Sequence, residues 1–160
     1  MALIVEDGTG LSTAEAYASV ATADDYHAAM GNTTWTGTDA AKEVALRRAT
    51  QYIDSAYSFR GIVSYSTQRL QWPRVGYESR QRVETWPPRR LVEACCEAAL
   101  RALTATLQTD VQGDAVTREK VGEIEIEYAQ RTGQTRMPVV DALLRPYTAG
   151  GLSLRLERAT

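Results

Sequence analysis

Residues 39–56 read DAAKEVALRRATQYIDSA, an 18-residue run that contains neither glycine nor proline. Its small and apolar residues recur at intervals of three and four, which is the spacing that places side chains on one face of an α-helix. The residues of this stripe are Ala41, Ala45, Ala49, Tyr52, Ile53 and Ala56. The segment therefore predicts a long amphipathic helix, and it points to a mainly α fold.

Three further stretches predict helices around this one. Residues 89–108 follow Pro88 and carry one polar stripe among small and apolar residues, so this helix is expected to be buried on most sides. Thr22 is expected to cap a short helix, with acidic residues in its first turn and an end before Gly31. A last short helix, over 138–144, begins with a proline. Together these segments predict a small helical bundle.

Residues 117–128, TREKVGEIEIEY, alternate glutamates with apolar residues, a pattern typical of a β-strand. A bend near Val121-Gly122 predicts one β-hairpin, near 115–128, inserted into the helical protein. One face of the second strand would carry three carboxylates over about 13 Å. Because like charges on one face destabilise a strand unless they are hydrated, we expect this face to border solvent or a water-filled lumen. The three residues are Glu123, Glu125 and Glu127.

Both ends of the chain are expected to be extended. The first residues, MALIVEDGTG, combine a short apolar run with turn chemistry, and they lack the basic region that begins a signal peptide. Residues 148–160 contain two glycines followed by alternating leucines, which predicts a docking tail that adds to the sheet edge of another chain. Its docking residues are Leu152, Leu154, Arg155 and Leu156. Residues 1–147 would then form the domain.

Residues 57–88 contain the glycines and prolines that interrupt regular structure, and they predict a long structured loop. Between 69 and 90 the chain has six arginines and two glutamates, a local charge of +4. Aromatic residues in a basic loop could stack on single-stranded nucleic acid. The interpretation we favour is that they anchor the loop to the bundle, because a long loop without buried aromatics would not hold its shape. The expected anchors are Trp72, Pro73 and Trp86.

Composition and motifs argue against several classes of function. The net charge is −2 and the sequence pI is about 5.5, whereas proteins that bind nucleic acid through phosphates are usually basic. Two adjacent cysteines, Cys95 and Cys96, and one histidine, His27, offer no metal site or catalytic triad. Phosphate-binding glycine motifs are missing from the sequence, as is any apolar run long enough to span a membrane. We therefore expect neither an enzyme, nor a cofactor, nor a membrane partner.

The chain resembles the head-tail connector proteins of long-tailed phages, also called adaptor or head-completion proteins. It is also similar to the related phage proteins labelled DnaT-like single-stranded-DNA-binding proteins. The stretches that carry the resemblance are MALIVEDGTG, ATADDYHAAMGN, ALRRATQYID, QRLQWPR, LVEACCEAALRAL, VTREKVGEIEIEY and MPVVDALLRPY. They follow the expected order over most of residues 1–147.

The resemblance implies a helical domain that assembles as a closed ring of about twelve copies beneath the portal protein. Such a ring would be made in the host bacterial cytoplasm and would end in the neck of the virion. Its tail side would meet a neck or tail terminator protein. Double-stranded DNA would pass through without specific binding, with the three hairpin glutamates lining the channel. The alternative is a DnaT-like protein that binds single-stranded DNA.

Overall fold

The computed structural model describes residues 2–77, 86–107, 118–121, 124–127 and 137–149. The four helices in these ranges are α1 (Val20–Met30), α2 (Asp39–Ala56), α3 (Arg89–Ala102) and α4 (Pro138–Leu144). Two antiparallel strand pairs accompany them: β1 (Ile62–Val63) with β2 (Arg74–Val75), and β3 (Arg118–Val121) with β4 (Ile124–Glu127). The predicted fold class, mainly α with an inserted β-hairpin, is confirmed.

Helix α3 lies at the centre of the bundle and contacts α1, α2 and α4. Its buried side chains are small, which lets the neighbouring helices approach closely. Those residues are Leu91, Ala94, Cys95, Cys96, Ala98, Ala99 and Ala102. The helix stops at Ala102, earlier than the predicted end at 108, and the chain closes in a turn where Ala105 N donates to Arg101 O over 2.9 Å. Threonines at 104 and 106 favour helix weakly, and both are exposed, so packing does not extend the helix.

Helix α2 has the bounds that the sequence predicts. The Thr38 side chain caps it by accepting from Ala41 N over 3.3 Å. The buried residues lie on the predicted stripe and beside it, and they are Ala45, Leu46, Ala49, Thr50, Tyr52 and Ile53. The burial of this face against α3 forms the largest helix contact in the described chain.

The predicted cap of α1 is wrong. Ser19, not Thr22, is the N-cap, and its side chain accepts from Thr22 N over 3.0 Å. The earlier start adds a first turn in which Ala23 N bonds to Ser19 O, and it brings Ala23 into the core. The predicted end is confirmed, because Gly31 closes the helix with a left-handed φ of 70°.

Residues 2–19 form no helix, but they fold back on themselves and pack onto the body of the protein, so they are not the extended arm that the sequence predicts. Val5 forms a parallel bridge with Ala16, and Glu6 N donates to Ala16 O over 3.0 Å. The buried Glu6 carboxylate accepts from three backbone N–H groups at 2.9 Å, which belong to Gly8, Gly10 and Leu11. These bonds fold the expected Asp-Gly-Thr-Gly turn around one carboxylate.

The last described residues pair with the loop that follows α2. Thr148 forms an antiparallel bridge with Phe59, and Ala149 N donates to Ser58 O over 2.8 Å. Helix α4 runs from Pro138 to Leu144, as predicted. None of the helices in the described ranges is long and apolar enough to cross a membrane.

Candidate interaction surface

Trp72 is the centre of a buried aromatic cluster that fixes the loop after α2 to the body of the protein. Its side chain is completely buried. Its ring centroid lies 4.5 Å from that of Tyr77 and 5.5 Å from those of Phe59 and Tyr147, all in edge-to-face geometry. The next residue, Pro73, is buried as well. A nucleic-acid base could stack on Trp72 only if this core opened.

Trp86 is half-buried and packs on the N-terminal turn. A Cβ atom on Gly8, which has a φ of 98°, would lie 2.5 Å from Trp86 Cδ1. Gly10, with a φ of 74°, is covered in the same way by the ring of Tyr65. Two aromatic residues of the long loop therefore enclose the turn, and each contact requires a residue without a side chain.

Arg74 connects the two sides of the long loop through backbone carbonyls. Its guanidinium donates to Gly61 O over 2.7 Å, Arg60 O over 2.9 Å and Gln71 O over 3.2 Å. Arg60 in turn donates from Nε to Thr148 O over 2.8 Å. These bonds hold β1 and β2 in a fixed position on the body.

The β1–β2 pair displays apolar side chains to solvent. Ile62, which is 69% exposed, pairs in register with Val75, which is 52% exposed. Val63 and Tyr65 are also exposed, so this segment contains four of the eight large hydrophobic side chains exposed in the described chain. We call Ile62, Val63, Tyr65 and Val75 the apolar ribbon. Exposed apolar residues that lie close together, as Ile62 and Val75 do, commonly mark an interaction site.

The charged residues of the segment that contains the apolar ribbon are all basic. Residues 58–77 contain three arginines, Arg60, Arg69 and Arg74, and no aspartate or glutamate. Arg60 and Arg69 are exposed, and Arg74 is half-buried. The surface therefore suits a partner that combines apolar and acidic groups.

The register of the β3–β4 hairpin places cationic residues opposite the glutamates. Lys120 pairs with Glu125, and Arg118 pairs with Glu127. Residues that are paired across an antiparallel ladder share a face, so this face carries two positive and two negative residues. The alternation within the second strand alone predicts an acidic face that carries Glu123, Glu125 and Glu127. In the paired hairpin, the described part of that face is balanced in charge.

Some predicted site residues lie outside the described residues. They are Glu123 and the four residues of the docking tail, Leu152, Leu154, Arg155 and Leu156. The described chain thus places the loop anchors Trp72, Pro73 and Trp86 in packed positions, and it places Glu125 and Glu127 on one strand.

Asp54 links three parts of the protein. The Tyr17 hydroxyl donates to its Oδ1 in a short hydrogen bond, and Gln71 N donates to its Oδ2 over 3.1 Å. Burial raises the pKa of Asp54 to about 6, and these hydrogen bonds oppose the increase. The contacts of this carboxylate hold the N-terminal segment, α2 and the long loop together.

His27 is buried, and its two hydrogen bonds define a neutral ring. Nε2 lies 3.2 Å from Cys96 O, which can only accept, and Nδ1 lies 3.0 Å from the Asn32 side-chain nitrogen, which can only donate. Burial lowers the pKa of His27 and raises the pKa of Cys95 to about 11. Cys95 and Cys96 are both buried, and neither forms a disulfide. In the described ranges, no cluster of three or more His, Cys, Asp or Glu residues could hold a metal ion.

An open groove lies between the start of α3 and α4, lined partly by Arg89, Glu93, Val139 and Leu143. Arg89 Nε and Glu93 Oε1 are 2.7 Å apart, so the two charges are paired. The exposed Arg90 also lines this groove, and its described lining contains neither histidine nor cysteine, so the apolar ribbon is the more distinctive surface.

The apolar ribbon does not follow from the sequence pattern, because the glycines and prolines of residues 57–88 predict one long loop. A signal was present: Ile62 and Val63 are adjacent apolar residues in a 20-residue stretch, 58–77, that lacks acidic residues. Two-residue strands give too little alternation for a periodicity argument to detect.

Comparison with protein families gives one match. The model of a family described as "Putative DnaT-like ssDNA binding protein" matches residues 1–159. Searches of curated proteins and of solved structures found no significant match.

Proposed function

This chain belongs to the DnaT-like family, and from that premise we propose that it is a structural head-tail connector of a long-tailed phage. The observation that carries the proposal is which side chains of the long loop are buried and which are exposed. Its tryptophan at 72 is completely buried, whereas Ile62 and Val75 are more than half exposed. Stacking of Trp72 on a nucleic acid would require its ring to be exposed, and exposed aliphatic residues favour contact with protein.

In the proposed role the chain forms a ring in the neck of the virion, after synthesis in the host cytoplasm. The portal protein lies on one side of the ring and a neck or tail terminator protein on the other. The role is one of assembly and requires no catalysis or cofactor. The docking tail, residues 148–160, is proposed to add as a strand to a neighbouring subunit or to the portal.

The glutamates at 123, 125 and 127 are proposed to border the passage for double-stranded DNA. The register pairs Glu125 with Lys120 and Glu127 with Arg118, so the described part of this face has equal numbers of acidic and basic residues. A face with balanced charge does not hold phosphates, so DNA can slide past it.

Electron microscopy of the purified chain mixed with a portal protein tests the proposal. A ring with a central hole, attached to the portal, is the expected result. Replacement of Glu125 and Glu127 by lysine should impair genome passage, because four cationic residues would then face the DNA. Replacement of the exposed Asp25 and Asp39 by lysine makes the same charge change elsewhere and serves as the control. Mixtures in which no ring forms would count against the connector function. Unchanged infectivity of the Glu125 and Glu127 variant would count against a position of these residues beside the DNA passage.

A second candidate is single-stranded-DNA binding, which the description of the family names. The exposed Tyr65 and the neighbouring Arg60 and Arg69 form the surface that could carry it. Fluorescence anisotropy with a labelled oligonucleotide separates the two functions. A DNA-binding protein should show micromolar or tighter affinity that falls steeply with salt, and Tyr65→Ala should weaken it. A connector should bind weakly at physiological salt.

A further inference from the structure

The β3–β4 hairpin packs on none of the other helices and strands that the structure describes. Its two strands contact each other and none of the described helices, and they do not contact β1 or β2. An isolated two-stranded hairpin is marginally stable in water and usually needs a third element or a packing surface. A surface that covers this hairpin is therefore missing from the described part of one copy.

The register divides the hairpin into two faces of different chemistry. Val121 pairs with Ile124, and Glu119 pairs with Ile126, so these four residues share a mainly apolar face. The opposite face carries the charge-balanced pairs of Lys120 with Glu125 and of Arg118 with Glu127. We call the first of these the apolar hairpin face.

The apolar ribbon is complementary to this hairpin in polarity and in charge. Both surfaces are rich in β-branched aliphatic residues. Residues 118–127 contain four glutamates and two basic residues, a net charge of −2, whereas residues 58–77 contain three arginines and no acidic residue. The acidic residue on the apolar hairpin face, Glu119, suits the arginines that flank the ribbon.

We propose that the β3–β4 hairpin of one copy docks, through its apolar face, on the apolar ribbon of a second copy. The inference rests on the proposed connector function and names the contact that joins neighbouring subunits. Because hairpin and ribbon are different surfaces of the same chain, the contact is heterologous, and repetition generates a closed ring when the rotation closes. In this arrangement the charge-balanced face points away from the neighbour, which leaves it free to border the DNA passage.

Paired serine variants test the contact. The ribbon variant, Ile62→Ser with Val75→Ser, removes two apolar side chains from the apolar ribbon. The hairpin variant, Ile124→Ser with Ile126→Ser, removes two from the apolar hairpin face. The control is Met30→Ser with Val44→Ser, which changes two exposed apolar residues elsewhere on the body. Light scattering after size-exclusion chromatography, over a concentration series, gives the mass of each assembly. We expect the wild type and the control to form the ring, and the ribbon and hairpin variants to remain monomeric.

A mixture of the two defective variants gives a sharper result. The ribbon variant keeps an intact hairpin, and the hairpin variant keeps an intact ribbon, so one contact can form between them and no further copy can add. We expect a heterodimer of the mixed variants and monomers of each alone. Two monomeric species that fail to pair on mixing would overturn the proposal.

Cysteine cross-linking distinguishes a contact between copies from one within a copy. Chains with Ile62→Cys and chains with Ile126→Cys, mixed under oxidising conditions, should give disulfide-linked dimers, while Met30→Cys in place of Ile62→Cys should give none. The native cysteines are fully buried and do not compete. A disulfide within single chains of the Ile62→Cys/Ile126→Cys double variant, without dimers, would overturn the proposal.

The outcomes separate this contact from the connector function. Ribbon and hairpin variants that form the same ring as the wild type would overturn the contact and leave the connector intact. A wild-type chain that stays monomeric throughout and forms no cross-link between copies would overturn both.

Discussion

Asp54 and His27 are ionisable side chains inside the helical body, and burial shifts the pKa of each toward its neutral form. The two shifts have opposite consequences for stability. The pKa of Asp54 is raised from 3.8 to about 6, so its contribution is fully present below 3.8 and is lost as the pH rises through 6. The pKa of His27 is lowered, so its contribution is present above 6.5 and is lost as the pH falls through the lower folded value.

Replacement of Asp54 by asparagine isolates the first effect, because the variant retains His27. We expect the wild type to lose about 2 kcal/mol of unfolding free energy relative to Asp54→Asn between pH 4 and pH 7.5. Urea unfolding at both pH values measures this difference. A difference between the two proteins that is independent of pH would contradict the raised pKa.

Trp72→Ala tests whether this tryptophan supports the fold or binds a ligand. The side chain is completely buried among three aromatic rings, so we expect a loss of about 3–5 kcal/mol of unfolding free energy. Tyr65→Ala is the control in the same loop, and since Tyr65 is 47% exposed we expect a loss of less than about 1 kcal/mol. Urea unfolding of both variants decides between the two roles. Equal losses would mean that Trp72 is not the anchor.

At the scale of elements, those with a long repeat or a distinctive first residue could be predicted from the sequence, and the two-residue strands β1 and β2 could not. The bounds of α2 follow from its periodicity, and α4 follows from its proline start. The cap of α1 was misplaced because Ser19 and Thr22 are both good caps, and packing of Ala23 decides between them. The N-terminal turn follows from its glycines, but its enclosure by Tyr65 and Trp86 depends on contacts that are distant in sequence.

Gly10→Ala measures how strongly the N-terminal turn is held, with Gly31→Ala as a matched control. The two glycines have nearly equal φ, 74° and 70°, but a Cβ atom on Gly10 would clash with Tyr65, whereas one on Gly31 would have no atom within 4 Å. Both variants incur the cost of a left-handed alanine, about 1–2 kcal/mol. We expect Gly10→Ala to lose about 1 kcal/mol more, because the ring of Tyr65 must move.

Thermal or urea unfolding of the two variants gives the comparison. Equal losses of unfolding free energy in the two variants would show that the ring of Tyr65 moves without an energetic penalty. A larger loss for Gly31→Ala would contradict the enclosed turn.

At the scale of the whole molecule, one helical body carries surfaces that are not used within a single described copy. Helix α3 contacts the other three helices, the N-terminal segment closes over α2, and the long loop is anchored at Trp72. Ile62, Val63 and Val75 of the apolar ribbon stay exposed on this body, and the β3–β4 hairpin contacts none of the other described helices or strands. Exposed apolar residues of this kind commonly mark a site of contact with a partner.

Deletion of residues 151–160 separates folding from attachment. The described core ends at Ala149, whose N–H bonds to Ser58 O, so we expect the free energy of unfolding to change by less than about 0.5 kcal/mol. We expect the truncated chain to lose its attachment to the neighbouring subunit or to the portal, because the docking tail is absent. Co-sedimentation with portal particles measures attachment, and normal attachment of the truncated chain would refute the role of the tail.

The sequence by itself determined the helical class, the two long helices and the position of the hairpin, because periodicity and turn residues act over a few neighbouring positions. Only the tertiary structure decided which aromatic residues are buried, which apolar residues remain exposed, and which charges face each other across β3 and β4. Trp72 and Ile62 both belong to the same loop, and nothing in their local sequence separates a core anchor from an exposed residue. That distinction depends on Phe59, Tyr77 and Tyr147, which come together only when the chain folds.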